Sequence, residues 1–463
     1  MTVMKKILSI LTFFIMFFSL HSCTLAVNSP TLVPNNKFGI HITSENDLKK
    51  AADLVNSSGG DWGYVTFVIT EKERDYDRWQ KAFDQVRRLH LIPIVRIATK
   101  AEGENWTIPS EDEIDNWVNF LSSLNWVIQN RYVIIGNEPN HAKEWGGTLD
   151  PAAYASYLKE FSLALKKDST DYFVMVAGMD ASANNSKDTM DEALYLKKMF
   201  VAEPNLFENI DGLSSHSYPN PGFAGKATDK GRGSIYTYDW ELSYLSQMGI
   251  NKNLPVFITE TGWSNEKVPT DLIADLYKYA FENVWDDPRV VAVTPFILDY
   301  SNPPFAEFSW IMKNGKTSPY YDVVKNIIKI QGKPTQIESG QILGALAQPI
   351  VFTGSDFIGA ILVRNTGQSI WNTDNIQIIS DDGQITFKNS LHFDIEPNHT
   401  ALIIFKASTE QTSGVLIKSV YLINEEEKRI TNNFPIEALI VKAGDFNMKE
   451  FVSKMFNSSS IIE

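Results

Sequence analysis

The chain has 463 residues, more than one hydrophobic core usually organises, so two folded domains and a processed leader are the first expectation. Hydrophobic residues make up 43% of the chain and charged residues 21%, which is an ordinary globular balance. The net charge of -14 would repel phosphates, and basic residues never run beyond adjacent pairs, so we exclude nucleic acid as a partner.

The N-terminus has the pattern of an export signal. Two lysines precede an apolar run over residues 7–20, which is too short to span a bilayer comfortably. The run ends in Leu-His-Ser-Cys, which resembles the bacterial lipobox, and this Cys23 is the only cysteine of the chain. We predict that 1–22 is a signal peptide, that Cys23 carries a lipid anchor and that 23–36 is a tether. The protein would then lie in the cell envelope, anchored to the membrane, with simple secretion as the alternative.

From Lys37 onward, short apolar runs alternate with longer amphipathic segments, which is typical of βα units around a parallel sheet. Eight such runs predict strands at 38–42, 62–69, 92–98, 132–136, 173–177, 210–215, 255–259 and 290–298. The amphipathic segments predict helices at 45–56, 77–89, 111–129, 151–167, 191–201, 271–283 and 321–330. We therefore predict an α/β fold, a (β/α)8 TIM barrel over 37–332. An open nucleotide-binding sheet uses the same units, but no G-x-G-x-x-G motif follows the first run.

The helical periodicity of the barrel region ends at residues 333–348, which contain Gly, Gln and Ser, and we interpret this segment as a linker. Beyond it, short apolar runs separated by turn residues predict an all-β sandwich over 349–463, with strands at 350–353, 359–364, 376–380, 402–405, 414–423 and 436–441. Asn365-Thr366-Gly367, followed by Trp371, resembles the N-T-G-x-x-x-W signature of immunoglobulin-like domains related to the central domain of the NBR-one autophagy receptor. We predict that Trp371 is a core ring of this immunoglobulin-like domain rather than a sugar-stacking ring.

Two of the predicted barrel strands end in a glutamate. Glu138 follows the fourth strand in Gly-Asn-Glu-Pro, and Glu260 ends the seventh in Thr-Glu-Thr-Gly-Trp. The C-terminal ends of barrel strands meet at one face, so the two carboxylates would face each other across one mouth. Cleavage of a glycosidic bond needs such a pair, because one group protonates the departing oxygen while the other attacks or stabilises the sugar carbon.

These two strand-end motifs resemble those of the glycoside hydrolases of clan A, and the resemblance spans residues 38–330. It implies a retaining hydrolase of poly- or oligosaccharides that works by double displacement, with Glu138 as general acid/base and Glu260 as nucleophile. It also implies that Asn137 binds the sugar 2-hydroxyl.

Further strand ends offer substrate-binding candidates. Arg96, at the end of the third strand, is placed either to hold Glu260 ionised or to form a barrel-end ion pair. The resemblance implies that His216 and Tyr218, after the sixth strand, lie beside the nucleophile.

The end of the eighth strand departs from the resemblance. Clan A members usually carry a tryptophan there, under the sugar, whereas this chain has Phe296 followed by Ile-Leu-Asp-Tyr. Tyr300 or Trp310 would have to provide the stacking ring, and Trp263 is a further stacking candidate.

No cofactor or metal is expected, because neither H-E-x-x-H nor C-x-x-C spacing occurs. We interpret the scattered His41, His90 and His141 as structural. The expected partner is a carbohydrate substrate, and the oligomeric state stays open. Two alternatives remain: a transglycosylase that uses the same pair, or a carbohydrate-binding surface lipoprotein that has lost activity.

Overall fold

The structure is a computed structural model that describes residues 27–388 and 393–442. The predicted signal peptide, the lipidation site Cys23 and the first residues of the predicted tether lie outside the described residues. The chain divides into two compact units, one formed by Met1–Tyr76, Leu89–Ser123 and Asn130–Lys333, the other by Asp77–Arg88, Leu124–Gln129 and Pro334–Glu463. In the described part, no helix combines the length and the apolar character that a membrane crossing requires.

Eight parallel strands, paired in chain order, form the sheet of the first unit. They are β1 Gly39–His41, β2 Gly63–Thr70, β3 Leu91–Ala98, β4 Arg131–Ile135, β5 Tyr172–Val176, β6 Gly212–His216, β7 Val256–Glu260 and β8 Val290–Val293. A parallel bridge between Phe38 and Val293 joins the last strand to the first. The prediction of a (β/α)8 barrel is confirmed at this level: an eight-stranded parallel sheet that closes on itself.

Eight α-helices alternate with these strands in the described part of the chain. They are α1 Leu48–Val55, α2 Tyr76–Arg88, α3 Glu113–Ser123, α4 Pro151–Asp168, α5 Glu192–Ala202, α6 Thr237–Gln247, α7 Thr270–Tyr279 and α8 Pro319–Asn326. Helix α6 was not predicted, because its aromatic and polar residues do not repeat at apolar helical spacing. The prediction of a helix over 111–129 was too long, since α3 ends at Ser123 and the apolar residues after it are buried without helical backbone.

Buried rings fill the barrel interior below the face where the strands end. Tyr132 and Phe257 have ring centroids 5.0 Å apart, and Phe173 lies 5.5 Å from Phe257. Above these rings, hydroxyl pairs cross between strands, as in Ser214 and Thr259, whose Oγ atoms are 2.7 Å apart. The barrel is therefore a packed core, and only its upper face is left for polar chemistry.

The end of the predicted tether contacts the barrel. Asn35 donates a side-chain hydrogen bond to the carbonyl oxygen of Val291, at 2.6 Å, and the buried Asn36 donates one to that of Val55, at 3.0 Å. At this end, the tether segment is thus held by directed contacts rather than being a free spacer.

The second unit contains two four-stranded sheets. Its strands are β9 Gly340–Ala347, β10 Ile350–Phe352, β11 Phe357–Asn365, β12 Ile376–Ser380, β13 Ile385–Lys388, β14 Thr400–Thr409, β15 Gly414–Asn424 and β16 Phe434–Val441. The sheets run in the orders β9-β11-β14-β13 and β10-β16-β15-β12. The first strand, β9, lies within the predicted linker 333–348, and β13 was not predicted.

The side chains of this second unit alternate between a buried and an exposed face, as a sandwich requires. Trp371 is fully buried among aliphatic residues of both sheets, so the prediction that it is a core ring is confirmed. The all-β character is thus shown, while the immunoglobulin-like assignment stays a prediction.

Candidate active site

The C-terminal ends of four barrel strands bring polar side chains to one point. Arg96 comes from β3, Glu138 follows β4, His216 ends β6 and Glu260 ends β7. Tyr218, two residues beyond β6, reaches the same cluster. Because parallel strands end at one rim of the barrel, residues far apart in sequence meet here.

Glu260 is buried, and both of its carboxylate oxygens have partners. Arg96 donates from Nη1 to Oε1, and the Tyr218 hydroxyl donates to Oε2 at 3.0 Å. Burial by itself would raise the pKa of Glu260, but the positive charges of His216 and Arg96 outweigh it and lower this pKa to about 2. Glu260 is therefore an anion throughout the ordinary pH range, and Arg96 pairs with Glu260, which corresponds to the first of the two alternatives for this arginine.

The same guanidinium fixes the neighbour of Glu138. Nη1 of Arg96 also donates to Oδ1 of Asn137, at 2.8 Å. With its oxygen accepting from Arg96, the Asn137 amide has its NH2 group left as a donor, and this side chain also interacts with the carboxylate of Glu144. Asn137 is therefore held between Arg96 and Glu144.

His216 lies between the two glutamates. Its Nδ1 is 3.0 Å from Oε1 of Glu138 and 3.8 Å from Oε2 of Glu260. Burial would lower the pKa of His216, but the charges of Glu260 and Glu138 outweigh it and raise this pKa above its usual value. The imidazole therefore holds the two carboxylates at a defined separation and offsets part of their mutual repulsion.

The backbone around Glu138 is strained. Its φ angle is 32°, an uncommon value for a residue with a side chain, and costs on the order of 1–3 kcal/mol. Gly136, two residues earlier, also has a positive φ of 92°. The turn is held by the segment that follows β5, since the amide of Glu138 donates to the carbonyl oxygen of Gly178 at 3.0 Å. Strain of this kind persists where the surrounding structure fixes a functional side chain.

Gly178 makes room for His216. A Cβ atom added at residue 178 would lie 2.2 Å from Cδ2 of the His216 ring and 2.7 Å from its Nε2. Both distances are far below any van der Waals contact, so the imidazole can occupy its position only because residue 178 is glycine.

Glu138, His216 and Glu260 also have the composition of a metal site, with potential ligand atoms within 4.8 Å of one another. Arg96 already pairs with one oxygen of Glu260, and the raised pKa of His216 favours its cationic form. Two resident positive charges oppose the binding of a metal cation. The donor set therefore suits proton chemistry better than coordination.

Two of the predicted stacking rings are unavailable to a substrate. Trp263 is 2% exposed, donates from Nε1 to the carbonyl oxygen of Gly225 and packs edge-on against Tyr277. Trp310 is 1% exposed and packs against the same Tyr277 ring. The prediction that these tryptophans stack on a sugar was therefore wrong. Both fill space behind the cleft, because large rings are as useful in a core as in a binding site.

Tyr300 stays a stacking candidate. It is partly exposed and its ring lies 5.9 Å from that of Phe305, which is 41% exposed. Phe305 in turn packs edge-on against Phe296. Phe296 is only 8% exposed and lies 5.2 Å from the His41 ring. The aromatic surface at this edge is thus shared among several smaller rings.

Two histidines interpreted as structural lie at the site. His41 ends β1 and is fully buried, and burial, followed by the charge of Arg96, lowers its pKa to about 3, so its ring is neutral. His141 lies three residues beyond Glu138 and pairs with Asp180 at 2.9 Å. His41 could have been found from its position at the end of a barrel strand, the same signal that located the glutamates. No pattern in the sequence indicates that His141 pairs with Asp180.

A second pair of glutamates is buried behind the site. Glu192 of α5 and Glu241 of α6 are 1% and 2% exposed and line a cavity of about 10 Å³. Burial, together with the charge of Glu241, raises the pKa of Glu192 well above its usual value, and burial also raises that of Glu241. Two carboxyl groups in such a place hold at least one proton between them.

This pair makes stability depend on pH. The pKa of Glu192 is higher in the folded state than its unfolded value of about 4.5, so the folded state binds this proton more tightly. The resulting contribution to the free energy of unfolding is fully present below about pH 4.5. It is lost as the pH rises, by up to about 1.4 kcal/mol per pH unit for one proton. We expect the midpoint of thermal unfolding to fall less between pH 5 and pH 8 in Glu192→Gln than in the parent protein. The exposed Glu208→Gln is the control, and equal falls in all three proteins would contradict the assignment.

One family model matches the part of the chain that contains both glutamates. Residues 126–286 match the family model Cellulase (glycosyl hydrolase family 5), a range that includes both glutamates. Among solved structures, a family 39 glycoside hydrolase from the gut symbiont Bacteroides cellulosilyticus WH2 is similar with a TM-score of 0.46 and 14% identity, over 82% of each chain.

Two further solved structures are similar at the same level. A monomeric beta-xylosidase from Caulobacter crescentus CB15 has a TM-score of 0.45 and 14% identity, over 71% of this chain and 74% of its own. A beta-mannanase from Thermomonospora fusca has a TM-score of 0.40 and 16% identity, over 64% of this chain and 90% of its own. The comparison with curated proteins finds no match.

Proposed function

We propose that this chain, which is a glycosidase, is a retaining hydrolase of β-linked neutral poly- or oligosaccharides that uses Glu138 and Glu260 in a double displacement. The observation that carries the proposal is the separation of the two carboxylates, whose nearest oxygens lie within 4.8 Å of each other. Retaining glycosidases hold this pair about 5–5.5 Å apart, whereas inverting ones leave ~6.5–9.5 Å for a water molecule.

The surroundings of each carboxylate support its role. Glu260 is the nucleophile, because its low pKa keeps it ionised and Arg96 and Tyr218 hold its oxygens in place. Glu138 is the general acid/base, which gives its proton to the departing oxygen and later takes one from water. Among the side-chain hydrogen bonds of the described residues, only His216 contacts its carboxylate, at Oε1, so its other oxygen has no side-chain partner and can face a substrate.

In the first step, an oxygen of Glu260 attacks the anomeric carbon as the leaving-group oxygen takes the proton of Glu138. In the second step, Glu138 takes a proton from water, and the resulting nucleophile breaks the ester to Glu260. Each step inverts the carbon, so the configuration is retained overall. Asn137, held between Arg96 and Glu144 and next to Glu138 in the chain, is assigned to the 2-hydroxyl through both steps.

Product stereochemistry tests the proposal. We expect proton NMR of a β-glycoside digest, recorded in the first minutes, to show the β-anomer of the new reducing sugar before mutarotation produces the α-anomer. The α-anomer appearing first would contradict the retaining assignment. Products longer than the substrate would identify a transglycosylase, and binding without turnover would identify an inactive carbohydrate-binding protein.

A further inference from the structure

We propose that His141 and Asp180 form the binding site for the leaving-group sugar, the ring that departs with the proton of Glu138. The inference rests on the proposed function and deepens it, because it implies a saccharide leaving group rather than an apolar aglycone. Neither residue was a candidate from the sequence.

The pair lies beside Glu138. The amide of His141 donates to the carbonyl oxygen of Glu138 at 2.8 Å, and Asp180 stands two residues beyond Gly178, which accepts the hydrogen bond from the Glu138 amide. Arg96 and Tyr218 contact Glu260 instead. Since the acid/base group touches the glycosidic oxygen, side chains next to it line the space of the departing sugar.

The pair is fixed in place from several directions. Nε2 of His141 is 2.9 Å from Oδ2 of Asp180, and the amide of Ser182 donates to Oδ1 of Asp180 at 2.8 Å. The buried Asn140 accepts from the amide of Asp180 and donates to its carbonyl oxygen, at 3.2 and 2.9 Å. A pair held this firmly loses little conformational freedom on binding a ligand.

Both side chains nevertheless keep free hydrogen-bonding capacity. The side chains of His141 and Asp180 are 19% and 31% exposed. Nδ1 of His141 has no hydrogen-bond partner among the described residues, and each carboxylate oxygen of Asp180 accepts one bond where it can accept two. One donor and an anionic acceptor side by side match a hydroxyl group, which donates one hydrogen bond and accepts others.

The charges of the pair favour the same ligand. Burial would lower the pKa of His141, but the hydrogen bond to Asp180 and the charge of Glu138 outweigh it and raise this pKa. Burial would raise the pKa of Asp180, but the bonds from His141 and Ser182 outweigh it and lower this pKa. Both shifts favour the charged form of the group concerned, and charged groups make the stronger hydrogen bonds to hydroxyls.

Substrates that differ in the leaving group alone test the inference. The probes are 4-nitrophenyl β-glycosides of glucose, mannose and xylose and the β-1,4-linked trisaccharides of the same sugars. For the sugar that the full chain hydrolyses best, we expect Asp180→Ala to lower kcat/KM about 10- to 100-fold on the trisaccharide, mainly through KM, and less than about threefold on the nitrophenyl glycoside.

Two further variants complete the design. Asp188→Ala removes an exposed carboxylate from the loop that also carries Asp180, and it is expected to leave kcat/KM unchanged on both substrates. His141→Gln is expected to repeat the pattern of Asp180→Ala, and it is the deciding variant if Asp180→Ala prevents folding.

The outcomes separate the two proposals. Equal losses on both substrates, or an unchanged KM for the trisaccharide, would overturn the leaving-group site and leave the retaining glycosidase intact. A parent protein that hydrolyses none of the probes would overturn the proposed function, and this inference with it.

Discussion

Glu260→Ala is expected to lower kcat by more than about four orders of magnitude on every glycoside that the parent protein hydrolyses. The variant loses the oxygen that attacks the anomeric carbon, and it leaves Arg96 and His216 without the anion they surround. No neighbouring group can replace it, since Glu138 stands on the leaving-group side. Rates of purified variant and parent, measured on the same nitrophenyl glycoside, give the size of the loss.

A small external nucleophile distinguishes loss of chemistry from loss of folding in this variant. Azide can enter the space left by the carboxylate and attack the anomeric carbon directly, which restores turnover with one inversion. The product from a β-glycoside is then the α-glycosyl azide. The exposed Glu266→Ala, six residues away in the chain, is the matched control and should behave as the parent does. Parent-like activity in Glu260→Ala would remove the nucleophile assignment.

Glu138→Ala has the second largest expected effect, and it depends on the substrate. Loss of the proton donor should lower kcat/KM about 10²- to 10⁴-fold on an oligosaccharide, whose leaving oxygen needs a proton. A 2,4-dinitrophenyl glycoside, whose leaving group departs as an anion, should be affected far less in kcat/KM. The ratio of the two losses, measured on glycosides of one sugar, reports the acid role.

Azide again supplies the discriminating product. In Glu138→Ala the ester to Glu260 still forms, and azide attacks it from the opposite face, so two inversions give the β-glycosyl azide. The two variants should therefore yield azides of opposite configuration. The α-product from Glu138→Ala, or equal losses on the two leaving groups, would assign Glu138 another role.

The positions of the two glutamates proposed as catalytic could be predicted because they follow from two simple rules. Apolar runs mark the strands, and the ends of barrel strands share one face, so Glu138 and Glu260 are brought together by counting strands. Arg96 and His216 follow from the same rule. Their contacts with the glutamates depend on side-chain length and on Gly178, which the strand pattern does not reveal.

The sequence did not reveal which side chains are buried or which loops meet in the fold. Trp263 and Trp310 lie in loops that follow barrel strands, but both rings are buried in the packing, and a loop position in the sequence does not reveal whether a ring is buried or faces the substrate. Asp180 pairs with His141 across two loops, which only the tertiary structure brings together. Strand β9 falls within the predicted linker because its two glycines and two alanines resemble a connection more than an apolar run.

The absence of a side chain at residue 178 affects how mutational scans of this enzyme are to be understood. Every substitution there places a carbon where the His216 ring lies, so a scan will score position 178 among the most sensitive of the barrel. Nothing at Gly178 touches the reacting carbon. Sensitivity at this position reports the space that an imidazole requires, and a library built to alter sugar preference should leave it constant.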